Sequence, residues 1–241
     1  RYFFNQPTAA RDAWATHPEW AACARPEIVV GDDEPIAIFF DGSKSDDATA
    51  LVGCRMSDGH VFVIECWEKP QGPAGKGWQV DRGDVDRIVR RTFEEREVVA
   101  FFADLKEFES YVDTWAQLFG DQLLIQAATG RNGHAVGWDM RGRVQEFTNA
   151  CGRALVDIKE RDLTHDGDSR LQRHILNARR RPNKWGVSIA KEGRESPKKI
   201  DLAVCAIGAR MARRQLLVSP AWAKYGEKHK RQRTGRVHGF A

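Results

Sequence analysis

Residues 36–65 read IAIFFDGSKSDDATALVGCRMSDGHVFVIE. The run 36–41 is apolar and aromatic until it ends in an acid, Asp41, and Gly42 and Ser43 then turn the chain. A continuous apolar run of that length, bounded by turn residues, predicts a strand buried on both faces. Two further strand-like runs follow at 48–55 and 60–67, and between them Met56-Ser57-Asp58-Gly59 contains Asp-Gly. That dipeptide between apolar runs is the strongest short hairpin signal. Three consecutive antiparallel strands are therefore expected, the first with a carboxylate at its tip. A lone acid after a strand is by default a turn residue or a cap, so the weight of Asp41 depends on its company.

Downstream, Val85, Ile88, Val89 and Phe93 recur at helical spacing, and the apolar run VVAFFA at 98–103 then ends in Asp104. Helical periodicity resumes through Phe108, Val112, Trp115, Ala116 and Phe119, stops at Gly120, and leaves a short strand expected at 122–126. Strand–helix–strand–helix alternation after an antiparallel hairpin implies right-handed crossovers and an α/β fold with a mixed sheet. Residues 129–142 are Gly-rich and irregular, and 144–158 read as a helix. Asp168-Ser169 can cap another helix, expected to run into Arg179-Arg180-Arg181 and to stop at Pro182. A short strand at 187–190 is followed by Asp201, which opens an apolar helix over 202–211. Upstream, 13–24 is expected to be a short helix bearing Trp14 and Trp20. The organisation expected is a linker or packing arm over 1–34, one domain over 35–217 and a basic tail over 218–241.

The 241 residues, 41% hydrophobic and 30% charged, fit a soluble globular protein with one large or two small domains. No run approaches the roughly 18 apolar residues of a membrane span, and the start carries no basic-then-apolar leader. The opening RYFFNQ, without Met, suggests a piece of a longer chain. Five cysteines form no C-x-x-C pair, so they read as reduced core residues of a cytosolic protein rather than zinc ligands. The formal charge of +4 is unevenly spread: Lys224, Lys228, Lys230, Arg231, Arg233 and Arg236 oppose only Glu227 at the end of the chain. A basic end on a near-neutral body suggests polyanion contact, with a solvated tail as the bland alternative. Residues 70–77, PQGPAGKG, mimic a phosphate loop only superficially, since Trp78 stands where Ser or Thr would hold magnesium.

Asp41, Asp104 and Asp201 thus each sit at the end of an apolar element. If the strand at 98–103 pairs in parallel with the first, Asp41 and Asp104 share one sheet edge. Like charges so close repel unless a cation lies between them, and hard oxygen donors select Mg²⁺ or Mn²⁺. Two such ions, about 3.5–4 Å apart, can flank a phosphodiester as in metal-dependent nucleases. Singly, each acid has a plainer reading as turn residue, N-cap or helix-dipole partner.

The segments FFDGSKSDDATALVGC, VVAFFADLKEFES, LTHDGDSRLQRHILNARRR and SPKKIDLAVCAIGARMA, in that order, resemble the nuclease domain of phage terminase large subunits, a branch of the ribonuclease H-like fold. RYFFNQ resembles the stretch by which that family leaves its ATPase domain, and the resemblance covers roughly residues 1–217. It implies a mixed five-stranded sheet, three antiparallel strands and then parallel ones, flanked by helices. It also implies a Mg²⁺- or Mn²⁺-dependent endonuclease with two ions, cutting concatemeric double-stranded DNA during genome packaging in the host cytoplasm. Asp41, Asp104 and Asp201 match its metal-binding acids. The implied partners are an ATPase motor domain, a portal and a small terminase subunit. No phosphate-loop motif of such a motor is present in this chain.

Further candidates are Asp46 and Asp47 in the turn, Glu65 on the third strand, His165 before the capped helix, and Lys198 and Lys199 beside Asp201. The first four and Lys198 are read as supporting residues of the metal site, each with a structural alternative. Arg179, Arg180, Arg181 and Lys199, with Lys228, Lys230, Arg231 and Arg233, are candidate DNA-backbone contacts, which would be salt-sensitive and sequence-blind. His134, His174 and Trp138 read as structural. An actin-like ATPase is the competing enzyme class, but it needs a duplicated domain and a second phosphate loop that the sequence lacks. Junction resolvases and DDE transposases share the fold and the metal chemistry, yet the HDGD and KID segments argue against them. A non-catalytic DNA- or motor-docking module is the third class.

Overall fold

The antiparallel meander forms as its apolar runs and Asp-Gly turn predict, from β1 (Ile36–Asp41), β2 (Thr49–Arg55) and β3 (Val61–Trp67), in a computed structural model that describes residues 12–44, 47–131, 133–193 and 196–237. The β2–β3 turn closes with the Gly59 N–H donating to the Arg55 carbonyl at 2.9 Å. Gly59 sits there at φ 81°, a region that a side chain enters only with strain. β4 (Val98–Ala103) pairs with β1 in parallel, so the strand order is β3-β2-β1-β4. A parallel neighbour requires a crossover, and α2 (Arg82–Glu95), capped by the Asp81 side chain, lies within it.

Successive side chains of a strand point to opposite faces, and β1 divides two cores in this way. Ile36, Ile38 and Phe40 face α2 and α3 (Glu109–Phe119), packing with Val85, Val112 and Trp115. Ala37 and Phe39 face the other side, where α4 (Val144–Glu160), α5 (Ser169–Asn177) and α6 (Asp201–Leu217) lie. α6 is buried continuously from Asp201 to Ala212, as a helix apolar on every side must be. Its closest approach to the sheet is at Gly208, where an added Cβ would lie 2.4 Å from the Phe39 ring.

Several expectations are corrected. Among the described residues the main sheet has four strands, not five. Leu124 and residues 136–138 lie beside β4 without forming a ladder, linked by Leu124 N–H to Val99 O at 2.9 Å and Trp138 N–H to Ala103 O at 2.8 Å. Ala127 and Ala128 instead pair with Ala135 and His134 across the Gly-rich turn, so the segment satisfies its own backbone. Arg179-Arg180-Arg181 do not end a helix. They belong to β5 (Arg179–Asn183), which forms a hairpin with β6 (Gly186–Ala190). Pro182 is tolerated because this is an edge ribbon outside the main sheet. The first helix, α1, is only His17–Ala21. A capping box between Thr16 and Glu19 starts it there, leaving Trp14 outside the helix although both Trp14 and Trp20 are buried. The basic stretch at the end is helical, α7 (Pro220–Val237), with Trp222 and Tyr225 packed on the core. All five cysteines are free, and no described helix is long and apolar enough to cross a membrane.

Gly208→Ala is expected to destabilise the protein by about 1–3 kcal/mol, because the methyl group has no room against Phe39. Gly152→Ala, in α4 with open space around its Cβ, is expected to stabilise by about 0.5–1 kcal/mol. Chemical denaturation of both variants measures the contrast.

Candidate functional site

Asp41 continues the face of β1 that carries Ala37 and Phe39, and Asp104 continues the face of β4 that carries Ala100 and Phe102. The parallel register pairs Phe40 with Ala103, and the Asp104 N–H donates to the Phe40 carbonyl at 2.9 Å. The two acids therefore leave adjacent strands at one edge, on the side covered by α6. Helical spacing puts Asp201, Cys205 and Gly208 on one stripe of α6. Gly208 rests on Phe39, and the Cys205 thiol donates to the carbonyl of Ala50, the residue paired with Asp41. The stripe thus runs along β1 toward its acidic tip and brings Asp201 there.

The electrostatics tie Asp41 to the other two acids. The Asp41 carboxyl is held well above the usual carboxylate range, first by burial and then by the charges of Asp201 and Asp104, while Lys191 and Lys106 pull it back. Asp104 is also raised by burial, an effect opposed by the Met140 N–H, which donates to its Oδ1 at 3.3 Å. Asp201 is only 7% exposed, and its Oδ2 has no hydrogen-bond partner among the described residues. A buried carboxylate oxygen without a hydrogen bond, whose charge is felt at Asp41, draws in a proton or a cation. Oxygen donors of this kind suit a hard divalent ion, but the carboxylate oxygens of the three acids do not all lie within 4.8 Å of one another; among the described residues the group that does is Cys66, Glu68 and His174.

The other candidates separate. Asp46 lies outside the described residues. Asp47 accepts from Lys191 Nζ, and from Lys199 Nζ at 3.3 Å. Glu65 accepts from Arg170 at 3.2 Å and from the Cys66 N–H at 2.8 Å. Lys198 is paired with Glu192 at 2.7 Å. His165 does not face the acids. It stacks on Trp20 at 4.0 Å, donates through Nε2 to the Trp20 carbonyl at 3.0 Å and accepts the Gly167 N–H at Nδ1. Both ring nitrogens are thereby committed to fastening the loop before α5 onto the N-terminal segment. Asp168 caps α5, accepting from the Arg170 and Leu171 N–H groups. Arg179, Arg180, Arg181 and Lys191 line a cleft of about 1140 Å³ with Asp12 and Asp47. Lys199 lines a neighbouring 510 Å³ cavity with Lys198 and Glu68. Lys228 is exposed on α7, and the side chains of Lys230, Arg231 and Arg233 lie outside the described residues.

The sequence reading did not single out Lys191 and Lys106. Their signal was position: one follows the last short strand, the other stands two residues past Asp104. It also left His174 as a plain core residue, whereas its ring joins Glu68 to the start of α6.

The chain is 40% identical over 249 aligned positions to the gene 13 proteins of Mycobacterium phage L5 and Mycobacterium phage D29. The alignment covers 98% of this chain but 39% of each relative, so the chain spans well under half their length. No family model matches it. In structure it is similar to the large terminase of bacteriophage HK97, with a TM-score of 0.59 at 15% identity, over 83% of this chain and 43% of that one. It is also similar to the large terminase of a thermophilic bacteriophage, with a TM-score of 0.51 at 6% identity, over 81% of this chain and 42% of that one. At such identities the likeness is one of fold, and it covers less than half of each large terminase.

An acid whose folded pKa lies above the ordinary 3.8 holds its proton more tightly folded than unfolded. Asp41 is thus neutral to stability below pH 3.8 and increasingly destabilising as pH rises through its folded value. In metal-free buffer, Asp41→Asn is expected to raise the melting temperature by a few degrees at pH 7 and to lose that advantage near pH 4. Thermal unfolding across that range, in a chelator, is the measurement.

Proposed function

We propose that this chain is the nuclease portion of a phage large terminase: a Mg²⁺- or Mn²⁺-dependent endodeoxyribonuclease that cuts concatemeric double-stranded DNA during genome packaging. The observation that supports the reading is the shared edge where Asp41 and Asp104 end adjacent parallel strands, with Asp41 raised by the charges of Asp201 and Asp104 and Asp201 Oδ2 without a hydrogen bond among the described residues. On this reading the three carboxylates hold two ions. Bound there, the metal lowers the pKa of the attacking water and stabilises charge on the leaving oxygen.

The chain's own residues prepare that site. The Met140 N–H fixes one oxygen of Asp104, so its other oxygen keeps a defined direction. Lys191 and Lys106 temper the negative field at Asp41, which makes the edge tolerable to a phosphate. The arginines of β5 form a basic wall of the cleft next to Asp47, suited to the DNA backbone rather than to base edges. Partners on this reading are double-stranded DNA, an ATPase motor on the same polypeptide, a portal and a small terminase subunit, assembled in the host cytoplasm.

Plasmid nicking in Mg²⁺, Mn²⁺ or EDTA tests the reading. Cleavage is expected only with metal, and Asp41→Ala, Asp104→Ala or Asp201→Asn should each reduce it by about 100-fold or more. Undiminished cleavage in EDTA or in the Asp41→Ala protein would refute it. For the cleft, Arg181→Ala should weaken binding about equally across DNA sequences and reduce the slope of log affinity against log salt by about one.

A further inference from the structure

We infer that Glu68 and His174 form a positioning relay that sets the orientation of Asp201, an inference that rests on the reading of Asp201 as a metal ligand. His174 lies on α5 and is fully buried at 0% exposure. Its Nδ1 accepts the Leu202 N–H at 3.0 Å. That N–H belongs to the first turn of α6, where backbone donors have no partner within the helix. The residue preceding α6, Ile200, offers no side-chain cap, so His174 from another helix fills that role.

A ring that accepts at Nδ1 carries its proton on Nε2 when neutral. Nε2 faces Glu68 Oε1 at 2.9 Å, and Arg173 binds the other oxygen of Glu68. Glu68 therefore fixes both the tautomer and the plane of the imidazole. A second tie, Asn177 Nδ2 to the Lys199 carbonyl at 2.9 Å, holds the chain just before the helix. Asp201 immediately precedes Leu202, and its Oδ2 has no hydrogen bond of its own among the described residues. Its direction is set by the backbone that His174 and Asn177 secure.

Donor atoms of Cys66, Glu68 and His174 lie within 4.8 Å of one another, a spacing that also suits a metal. Both ring nitrogens of His174 are already engaged, however, so the cluster acts as a hydrogen-bonded support.

Two readouts test the relay on the whole chain without DNA: Mn²⁺ affinity by calorimetry and the melting temperature in EDTA. His174→Ala is expected to weaken Mn²⁺ binding about 10-fold, and Glu68→Ala by about 3- to 10-fold. His174→Asn, whose side-chain oxygen can still accept the Leu202 N–H, is expected to stay within about threefold of the native protein. In an Asp201→Asn background, His174→Ala should have no further effect on the residual Mn²⁺ affinity. A lower melting temperature with unchanged Mn²⁺ affinity in His174→Ala overturns the relay, as does an undiminished effect in the Asp201→Asn background. If His174→Ala does not fold, Glu68→Ala decides in the same way. A native protein that binds no Mn²⁺ overturns the metal reading together with the relay, whereas native binding that the variants leave intact overturns only the relay.

Discussion

The seating of α6 on β1 is the constraint on which the molecule depends. It presses a helix buried from Asp201 to Ala212 against the central strand, with no side chain at Gly208 to hold the two apart. Burying the Asp201 carboxylate with one oxygen unpartnered among the described residues raises the free energy of the folded state, and here the apolar contacts of the same helix offset that penalty. The first turn of α6 also presents the positive end of its dipole, which favours the negative charge of Asp201. Stability and chemistry thus share one interface: the packing that closes the core is also what gathers the acids.

The two faces of the sheet divide the labour. The α2/α3 face is aromatic and sealed, with Phe40 packed edge-on to Phe108 and Trp115. The α6 face ends in acids, and cations approach it from loops and hairpin: Lys106 from the turn after β4, Lys191 from the end of β6. Asp47 ties Lys191 and Lys199 together at the rim. Negative charge therefore gathers at the edge of the central sheet, and positive charge lines the neighbouring hairpin cleft, where Asp47 and Lys191 lie between the two.

Much of this was readable from the chain because the signals were local. The Asp-Gly turn and the apolar runs specify β1 to β3, and the unbroken run VVAFFA followed by a helical pattern specifies a parallel neighbour. The acids could be picked out because each ends an apolar element. The arginine hairpin was not legible. The residues of its first strand are exposed and basic and Pro182 mimics a helix stop, so only its second strand, β6, was expected, at 187–190. The missing fifth strand was obscured likewise, since Leu124 and Ile125 read as strand while the Gly-rich turn draws that backbone into self-pairing. His165 was assigned toward the chemistry because it neighbours acids in sequence, yet Trp20, from a distant segment, captures its ring. Glu68 is 106 residues from His174, a separation that no periodicity reveals.

The lead-in segment is not merely draped over the core. The Asp12 carbonyl accepts the Arg180 N–H at 2.8 Å, and the Trp14 N–H reaches the Ala178 carbonyl at 3.0 Å, so residues 12–14 run as a third edge beside the arginine ribbon. The ribbon is therefore flanked on both sides: β6 pairs along one side and residues 12–14 bond to the other, so β5 is an inner strand of this small assembly and its arginines are held by backbone bonds from two directions.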